Sequence, residues 1–317
     1  MKRVLITGAA GFIGSHVAER LLGRGDIVAG LDNFNDYYDP RIKRHNTEKA
    51  LANGRYELHE IDICDAAIVR DVFTAFRPEV VVHLAARAGV RPSLDHPDVY
   101  HQVNVIGSQH ILDACRAVDL SHLVFASSSS VYGGSRTVPF MEDNPVAYPI
   151  SPYAATKRMG ELMAHVYSHV YGLNVTLLRL FTVYGPRQRP DMAIHRFTRL
   201  MSAGEPAPMF GDGATARDYT YIDDIVDGLV SAIDRPLRYE IINLGGDRST
   251  TLSELIALIA RCLGKPATVE PLPMQPGDVE ITWANLDKAR RLLDYAPRVP
   301  IEQGVAAFVA WYREARK

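Results

Sequence analysis

The sequence predicts an α/β fold built on a doubly wound parallel sheet. Short runs rich in β-branched residues alternate with helical patterns through the first half of the chain, and a glycine-rich turn follows the first run. These runs lie at residues 4–7, 27–31, 57–61, 80–83, 123–126 and 175–179. Alternation of this kind predicts parallel strands that are joined by right-handed helical crossovers.

The chain is expected to form two parts of different character. Its composition changes in a segment rich in proline, glycine and arginine that covers residues 184–191. We therefore expect residues 1–183 to form the main sheet domain and residues 184–317 to form mainly a smaller, mixed substrate domain. One later strand, near residues 239–244, is expected to return to the main sheet. Amphipathic helices are expected at residues 252–263 and 286–293.

Composition and charge exclude several classes of protein. The 317 residues carry 35 basic and 37 acidic side chains, a formal net charge of -2, so neither a nucleic acid nor an anionic membrane surface is an expected partner. Three cysteines are present, and their spacing fits neither a disulfide framework nor a metal site. The first apolar run is too short for a signal peptide and no later run is long enough to cross a bilayer, so we expect a cytoplasmic protein.

A glycine turn near the N-terminus predicts a binding site for a dinucleotide. Gly8, Gly11 and Gly14 lie three residues apart between the first strand and a helix start, with Phe12 and Ile13 between the last two. Glycines allow a tight turn and a close approach of backbone N–H groups to a pyrophosphate, and the helix N-terminus adds partial positive charge. Taken alone, the pattern also fits a plain link between a strand and a helix. As a phosphate site, it indicates a Rossmann-type sheet.

Asp32 favours the dinucleotide interpretation and specifies NAD. It follows the second predicted strand about twenty residues after the turn, where a carboxylate accepts hydrogen bonds from both adenosine ribose hydroxyls and repels a 2′-phosphate. Further residues are assigned to the same cofactor site: Asn33, Asn35, Asp62, Ile63, Leu84, Ala85, Ala86, Asn104 and Tyr184. The expected cofactor is therefore NAD, and no metal is expected.

A helix that begins at Ser151 carries a candidate catalytic pair. Serine is a favoured N-cap and Pro152 suits the first helical position, so Tyr153 and Lys157, four residues apart, project from one face. A phenol with a pKa of about 10 is a poor base at neutral pH, but a nearby ammonium and a positive nicotinamide ring lower that pKa. Tyr153 is then able to remove a proton from a substrate hydroxyl. The spacing alone also fits an ordinary pair on a solvated helix face.

A serine run supplies the third part of the predicted catalytic site. Residues 127–130 are all serine and follow the apolar strand at 123–126, so they lie at the carboxyl end of the sheet, where doubly wound folds bind ligands. A hydroxyl from this run is placed to hydrogen-bond the same substrate oxygen as Tyr153. Alone, a serine-rich turn fits a solvated loop; beside the tyrosine and the lysine, it predicts a catalytic site.

The glycine turn, the serine run and the segment 153–157 together resemble the extended short-chain dehydrogenase/reductase family of nucleotide-sugar enzymes over nearly the whole chain. The resemblance implies that Ser128 helps to position the substrate, with Ser129 and Ser130 beside it, and that Lys157 also holds the nicotinamide ribose. The family's dehydratases carry an Asp-Glu pair where this chain has Ser129 and Ser130, and its decarboxylases carry a glutamate in the same loop. The serines therefore favour epimerisation, which needs no such acid.

Other segments resemble the UDP-glucuronate 4-epimerases of this family. They lie at residues 31–40, 88–91, 181–186 and 189–192. Arg187 and Gln188 depart from the Trp-Gly that is common in that group, and we expect Arg189 to reach the substrate. The residues assigned to substrate binding are Arg91, Thr182, Arg189, Met192, Arg217, Tyr219, Gln275 and Asp278. For Arg217, a surface salt bridge is the alternative.

The resemblance implies NAD-dependent 4-epimerisation of UDP-glucuronic acid to UDP-galacturonic acid through a 4-keto intermediate, with NAD tightly bound and regenerated in each cycle. Two alternatives stay open: a UDP-glucose or UDP-N-acetylhexosamine 4-epimerase, and an NAD-sensing binding protein without catalysis. The resemblance also implies a homodimer. Apolar residues on more than one face of the helices at 104–118 and 153–171 fit a dimer seam and deep burial equally well.

Overall fold

Seven parallel strands form the main sheet of the computed structural model, which describes residues 1–274 and 278–315. The strands are, in chain order, β1 (Arg3–Thr7), β2 (Ile27–Asp32), β3 (Tyr56–Glu60), β4 (Val80–His83), β5 (His122–Ser128), β6 (Val175–Leu180), β7 (Thr182–Tyr184), β8 (Ala207–Phe210), β9 (Ala216–Arg217), β10 (Tyr219–Tyr221), β11 (Tyr239–Leu244), β12 (Thr250–Thr251) and β13 (Val269–Leu272). The α-helices are α1 (Phe12–Arg24), α2 (Pro40–Leu51), α3 (Ala66–Phe76), α4 (Val90–Asp95), α5 (Pro97–His101), α6 (Ser108–Ala117), α7 (Pro152–Tyr171), α8 (Ala193–Ala203), α9 (Ile222–Asp234), α10 (Leu252–Leu263), α11 (Asp287–Leu293) and α12 (Ile301–Glu314). A π-helix covers Gln102–Gly107, and a 3-10 helix covers Ser129–Tyr132.

The strand order creates a crevice between β1 and β4. The order across the sheet is β11-β6-β5-β4-β1-β2-β3, so the chain builds outward from β1 to β3 and then crosses to the other side of β1. Thr7 at the end of β1 is level with Leu31 on β2 and with His83 on β4. The carboxyl ends of the central strands therefore meet where the strand order reverses, which is the place where doubly wound sheets bind ligands.

Both faces of the sheet are buried, as the continuous apolar strands require. Val4 and Ile6 on β1 point into one apolar cluster, which includes α1 and α9, whereas Leu5 points into a second cluster with α3, α6 and α7. A third cluster forms between α8, α10 and α12. Three two-stranded pairs, β7 with β10, β9 with β12 and β8 with β13, accompany it.

The predicted fold class is confirmed, with differences at the ends of elements. The strand expected at 123–126 continues through Ser128. The polar Ser127 can be buried in this strand because its hydroxyl donates a hydrogen bond to Glu161. The helix expected at 104–118 begins as the π-helix Gln102–Gly107 and continues as α6. The return strand pairs with β6 as β11, and α9 also packs on the main sheet. The division of domains after residue 183 stays a prediction.

The described residues contain neither a helix that could span a membrane nor a cluster of metal-binding side chains. Within residues 1–274 and 278–315, no helix has both the length and the apolar character that crossing a membrane requires. The same residues contain no group of three or more His, Cys, Asp or Glu side chains that could hold a metal ion. Cys64, Cys115 and Cys262 are free thiols.

Candidate active site

A cavity of about 480 Å³ runs along the carboxyl ends of the central strands. It is lined by most of the residues predicted for the cofactor: Gly8, Gly11, Phe12, Ile13, Gly14, Asp32, Asn33, Asn35, Asp62, Ile63, Leu84, Ala85, Ala86, Tyr153 and Lys157. Ser128, Ser129 and Ser130 line the same cavity. So do five of the residues assigned to the substrate: Thr182, Arg189, Met192, Arg217 and Asp278. One space therefore connects the three predicted parts of the site.

The glycine turn forms a backbone cradle that side chains would fill. Gly8 has a φ of 71°, and a Cβ there would lie 2.9 Å from the backbone nitrogen of Ala85 on the neighbouring strand end. A Cβ on Gly14 would lie 2.1 Å from the carbonyl oxygen of Gly8. Gly11 is the N-cap of α1 and carries no side chain, and the first residues of that helix, which have free backbone N–H groups, line the cavity. This geometry fits the diphosphate of a dinucleotide.

Asp32 lies at the end of β2 with its carboxylate held in a fixed position. Its two oxygens accept hydrogen bonds from the backbone nitrogens of Ala10, at 3.1 Å, and Phe34, at 2.9 Å. Burial raises the pKa of this carboxyl, and the ammonium of Lys43, 3.9 Å away, acts against that shift. Lys43 lines the cavity but was not among the predicted site residues, because its proximity to Asp32 depends on how α2 packs.

Helix α7 positions Tyr153 and Lys157 as the N-cap prediction requires. The Ser151 hydroxyl accepts a hydrogen bond from the Ala154 nitrogen at 3.1 Å, and Pro152 occupies the first turn. The Lys157 ammonium donates to the carbonyl oxygen of Ala126 at 2.8 Å, which ties the helix to β5. Burial lowers the pKa of Lys157 to about 8, although the nearby Glu161 carboxylate raises it.

The pKa of Tyr153 is shifted upward in the protein, whereas the sequence analysis expected a downward shift. Burial raises this pKa, and the groups that act in the opposite direction are the hydrogen bond with Ser128 and the charge of Arg189. Lys157 was expected to lower the pKa of the phenol. Its ammonium instead donates to the Ala126 carbonyl, and burial lowers the pKa of the lysine itself. Within the protein, Ser128 and Arg189 are therefore the groups that favour the phenolate.

The four serines of the predicted run, residues 127–130, differ in their contacts. The Ser127 hydroxyl donates to Glu161 at 2.6 Å within the buried sheet. Ser128 caps the 3-10 helix: its oxygen accepts hydrogen bonds from the Ser130 nitrogen at 3.2 Å and the Ser130 hydroxyl at 2.9 Å. Ser128 also acts on Tyr153, since the hydrogen bond between the two side chains lowers the pKa of the phenol. Ser129 lines the cavity beside them.

Arg189 and Arg187 point to different places. The Arg189 guanidinium lines the cavity and forms two hydrogen bonds with Asp191, at 3.0 and 2.9 Å. Arg187 instead pairs with Glu19 on α1 at 2.6 Å. Gln188 between them is buried, and its side chain donates to the Val183 carbonyl at 3.1 Å. Of the two arginines, only Arg189 is placed to meet a ligand in the cavity.

Four predicted residues do not line the cavity, for three physical reasons. Asn104 accepts a hydrogen bond from the Arg87 nitrogen at 2.7 Å and donates to Arg87 and Thr156, so it braces the loop that follows β4. Tyr184 and Tyr219 pack against each other, with ring centroids 6.3 Å apart, and Tyr184 belongs to the third apolar cluster. Arg91 forms an ion pair with Asp278 at 2.6 Å. Gln275 lies outside the described residues.

A backbone cradle for a diphosphate, a buried acid at the end of β2, and a tyrosine, lysine and serine at the carboxyl ends of the sheet define a dinucleotide-dependent oxidoreductase site of the short-chain dehydrogenase type. Residues 5–308 match the family described as GDP-mannose 4,6 dehydratase. The chain belongs to this family, which is of the extended short-chain dehydrogenase/reductase type.

Individual relatives are similar over their whole length. The UDP-glucuronate 4-epimerase of Thermodesulfobacterium geofontis (strain OPF15) is 43% identical over 98% of this chain and 96% of its own. The crystal structure of the UDP-glucuronic acid 4-epimerase of Bacillus cereus, in complex with UDP-glucuronic acid and NAD, superposes with a TM-score of 0.94 at 36% identity and covers 99% of both chains. The UDP-glucose 4-epimerase of Thermotoga maritima, solved with UDP-glucose, gives a TM-score of 0.92 at 32% identity, covering 99% of this chain and 100% of its own.

Proposed function

We propose that this chain catalyses the NAD-dependent 4-epimerisation of UDP-glucuronic acid to UDP-galacturonic acid. The observation that carries the proposal is the position of Arg189, whose guanidinium lines the cavity beside Tyr153 and whose charge acts on that phenol. A cation in this place suits a substrate that carries a carboxylate next to the reacting carbon. The relative from T. geofontis and the B. cereus complex support the same substrate.

Cofactor binding is assigned to the glycine cradle, Asp32 and Lys157. The cradle takes the diphosphate, and the Asp32 carboxylate takes the adenosine ribose hydroxyls. Lys157, which lines the cavity, takes the nicotinamide ribose. Bound NAD supplies the hydride acceptor at C4, and the NAD in the B. cereus complex supports this assignment.

The protein's own residues move the proton and hold the reacting oxygen. Tyr153 takes the proton of the C4 hydroxyl while C4 loses a hydride, which leaves a 4-keto sugar. Ser128, hydrogen-bonded to Tyr153, holds the same oxygen. The Ser128 hydroxyl and the positive charge of Arg189 favour the phenolate. After the sugar turns, the hydride returns to the opposite face of C4 and Tyr153 returns the proton.

The carboxylate of this substrate must be controlled during the reaction. A 4-keto uronic acid is a β-keto acid, so carbon dioxide leaves readily when the bond to the carboxylate aligns with the ketone π system. A guanidinium fork holds a carboxylate in a fixed plane through charge-assisted hydrogen bonds. Arg189 is assigned this role, and Thr182, which lines the same cavity, is placed to add a donor.

Product analysis tests the proposal. The purified protein is incubated separately with UDP-glucuronic acid, UDP-glucose and UDP-N-acetylglucosamine, and the products are identified by NMR. We expect UDP-galacturonic acid from the first and little turnover of the other two. Faster turnover of UDP-glucose or UDP-N-acetylglucosamine would assign the chain to a different epimerase, and absence of any product would favour an NAD-sensing protein.

Two tyrosine variants provide the matched control. Tyr153→Phe removes the proposed base and should abolish product formation from every sugar. Tyr148→Phe changes a tyrosine that is 89% exposed and should retain full activity. Retention of activity in Tyr153→Phe would contradict the proposed mechanism.

We further propose that the protein is a homodimer that associates through α7. Large apolar side chains on this helix are exposed at positions that share one face: Met159, Leu162, Val166 and Val170. Multi-angle light scattering should give twice the mass of one chain. Val166→Glu should convert the dimer to a monomer, whereas Ile68→Glu on α3, where Ile68 is also partly exposed, should not.

A cytoplasmic location is proposed as well. The three free thiols are typical of a reducing compartment. Fractionation of the cells that make the protein, followed by detection with an antibody, tests this location directly.

A further inference from the structure

The Arg189–Asp191 pair uses one defined edge of the guanidinium. The Nε atom donates to Oδ1 of Asp191 at 3.0 Å and Nη2 donates to Oδ2 at 2.9 Å, so the carboxylate occupies the side edge of the fork. A guanidinium has five N–H groups, and this contact uses two of them. The end edge, formed by Nη1 and the second hydrogen of Nη2, is left for another carboxylate.

Arg189 and Asp191 lie in one short turn, and only Arg189 faces the cavity. Arg189 lines the cavity, whereas Asp191, whose side chain is 41% exposed, does not. The Met192 nitrogen donates to the Arg189 carbonyl at 3.2 Å, which closes the turn. Asp191 therefore holds the guanidinium from outside while the guanidinium faces inward.

The ring of Tyr37 restricts the orientation of the Arg189 guanidinium from another side. The Arg189 Cζ atom lies 5.6 Å from the ring centroid of Tyr37, and the Arg87 Cζ atom lies 4.4 Å from the same centroid. Tyr37 and Arg87 line the cavity as well. The plane of the Arg189 fork is thus set by two contacts, the Asp191 carboxylate and the Tyr37 ring.

We propose that Asp191 is a positioning residue that fixes the plane of the Arg189 guanidinium and so determines whether the substrate's carboxylate is kept or lost. The inference rests on the proposed function. With Asp191 in place, only the end edge of the fork meets the substrate, in one orientation. Without it, the fork can rotate and accept the carboxylate in other planes, including the one in which its bond to C5 is parallel to the ketone π orbitals.

The loss of the carboxylate is chemically balanced within the proposed reaction. After C4 has lost its hydride to NAD and the C4 hydroxyl has lost its proton to Tyr153, the bond between C5 and the carboxylate breaks and carbon dioxide leaves. The electron pair passes into the ketone as an enolate, and C5 takes a proton from water. Hydride then returns from NADH to C4 and Tyr153 returns its proton, which gives a UDP-pentose and restores NAD.

Asp191 also affects the charge that the substrate meets. Burial acts to raise the pKa of Asp191, but its hydrogen bonds with Arg189 outweigh burial and hold the pKa below its usual value, so the side chain is ionised near neutral pH. The aspartate charge therefore offsets part of the positive charge of Arg189. Removal of the aspartate charge leaves a full positive charge for an incoming carboxylate and favours its binding.

The experiment measures product partition and KM together in Asp191→Ala and Asp191→Asn. In the wild type we expect UDP-galacturonic acid with little UDP-pentose. In Asp191→Ala the ratio of UDP-pentose to UDP-galacturonic acid should rise about tenfold or more, in keeping with the cost of a misplaced positioning group, while KM for UDP-glucuronic acid falls or stays unchanged. Asp191→Asn keeps an acceptor oxygen and should give an intermediate ratio.

Controls separate positioning from general damage. Glu302→Gln breaks an exposed ion pair with Arg248, which measures 3.0 Å, and should leave both quantities at wild-type values. Asp191 also lies near the N-terminus of α8, and a purely structural role there would raise KM and lower turnover without a change in product ratio; that result would overturn the inference. Absence of UDP-galacturonic acid from the wild type would overturn the proposed function, and the inference with it.

Discussion

The Glu161 carboxylate on α7 accepts two hydrogen bonds from the guanidinium of Arg179 on β6, at 2.8 and 3.0 Å, and both side chains are at most 1% exposed. Ser127 on β5 donates to the same carboxylate at 2.6 Å, and Arg158 donates at 2.9 Å. The helix that carries Tyr153 is thereby fixed to the two strands beneath it. A buried ion pair of this kind makes the position of the helix depend on both partners.

Glu161→Gln should strongly destabilise the protein. The substitution keeps the size of the side chain but leaves the Arg179 charge buried without a counterion, which costs about 3–5 kcal/mol of the free energy of unfolding. Urea unfolding followed by circular dichroism measures the loss. Glu302→Gln, at an exposed pair, should unfold like the wild type. Equal stability of the two variants would show that the buried pair is not a determinant of stability.

The rate of the proposed reaction should fall at alkaline pH as Lys157 loses its charge. Burial lowers the pKa of Lys157 from its ordinary value of 10.5 to about 8, so the folded protein releases this proton before the unfolded chain does. The stability contribution of this group therefore rises with pH between about 8 and 10.5, while the charge with which it is proposed to hold the nicotinamide ribose is lost. We expect a descending limb in kcat near pH 8.

The carboxylate of Glu161 raises the pKa of Lys157, and this gives the pH prediction a control. In Glu161→Gln the descending limb should move to lower pH, and in Glu302→Gln it should not move. The profile is measured with kcat normalised to the fraction of folded protein. A limb that stays in place in Glu161→Gln would show that another group titrates there.

The sequence predicted the sheet well because its signals are local. Each parallel strand is a short apolar run. The turn that follows β1 needs glycine at position 8, where φ is 71°, and at position 14, where a Cβ would meet the Gly8 oxygen. The extent of β5 was not predicted, because Ser127 is polar and its partner, Glu161, lies 34 residues away. Contacts between distant residues leave no periodic pattern.

The same limit applies to the site. The motif residues Tyr153, Lys157 and Ser128 came from spacing and resemblance, and the structure brings them to one cavity. Lys43 was missed because only the packing of α2 places its ammonium 3.9 Å from Asp32. Tyr184 was expected at the cofactor, but its ring is buried against Gly304, where a Cβ would lie 2.2 Å from its hydroxyl. Nothing in the local sequence indicates this contact.

Gly14→Ala should abolish tight binding of NAD. The added Cβ would lie 2.1 Å from the Gly8 oxygen, so the turn would have to open and the cradle for the diphosphate would be lost. The NAD content of the purified protein, measured after acid release, should fall well below that of the wild type. Gly23→Ala, in the same helix, places a Cβ in open space, and should keep NAD and gain about 0.5–1 kcal/mol of stability. Full occupancy in Gly14→Ala would contradict the assignment of the cradle.

Ser128→Ala should lower kcat by about 10²-fold, within the range for loss of a positioned proton-transfer partner, with a small change in KM. In the complex with NAD, the positive nicotinamide ring lowers the pKa of Tyr153, and formation of the phenolate gives the pH profile an ascending limb. The hydrogen bond from Ser128 lowers the same pKa, so its removal should move this limb to higher pH. Ser130→Ala should give a smaller loss in the same direction, because the Ser130 hydroxyl donates to Ser128 at 2.9 Å and orients it. Ser129→Ala should not move the limb. If instead Ser129→Ala shifts the limb and Ser128→Ala does not, the hydroxyl that acts on Tyr153 has been wrongly assigned, and the geometry of the 3-10 helix must change when the substrate binds.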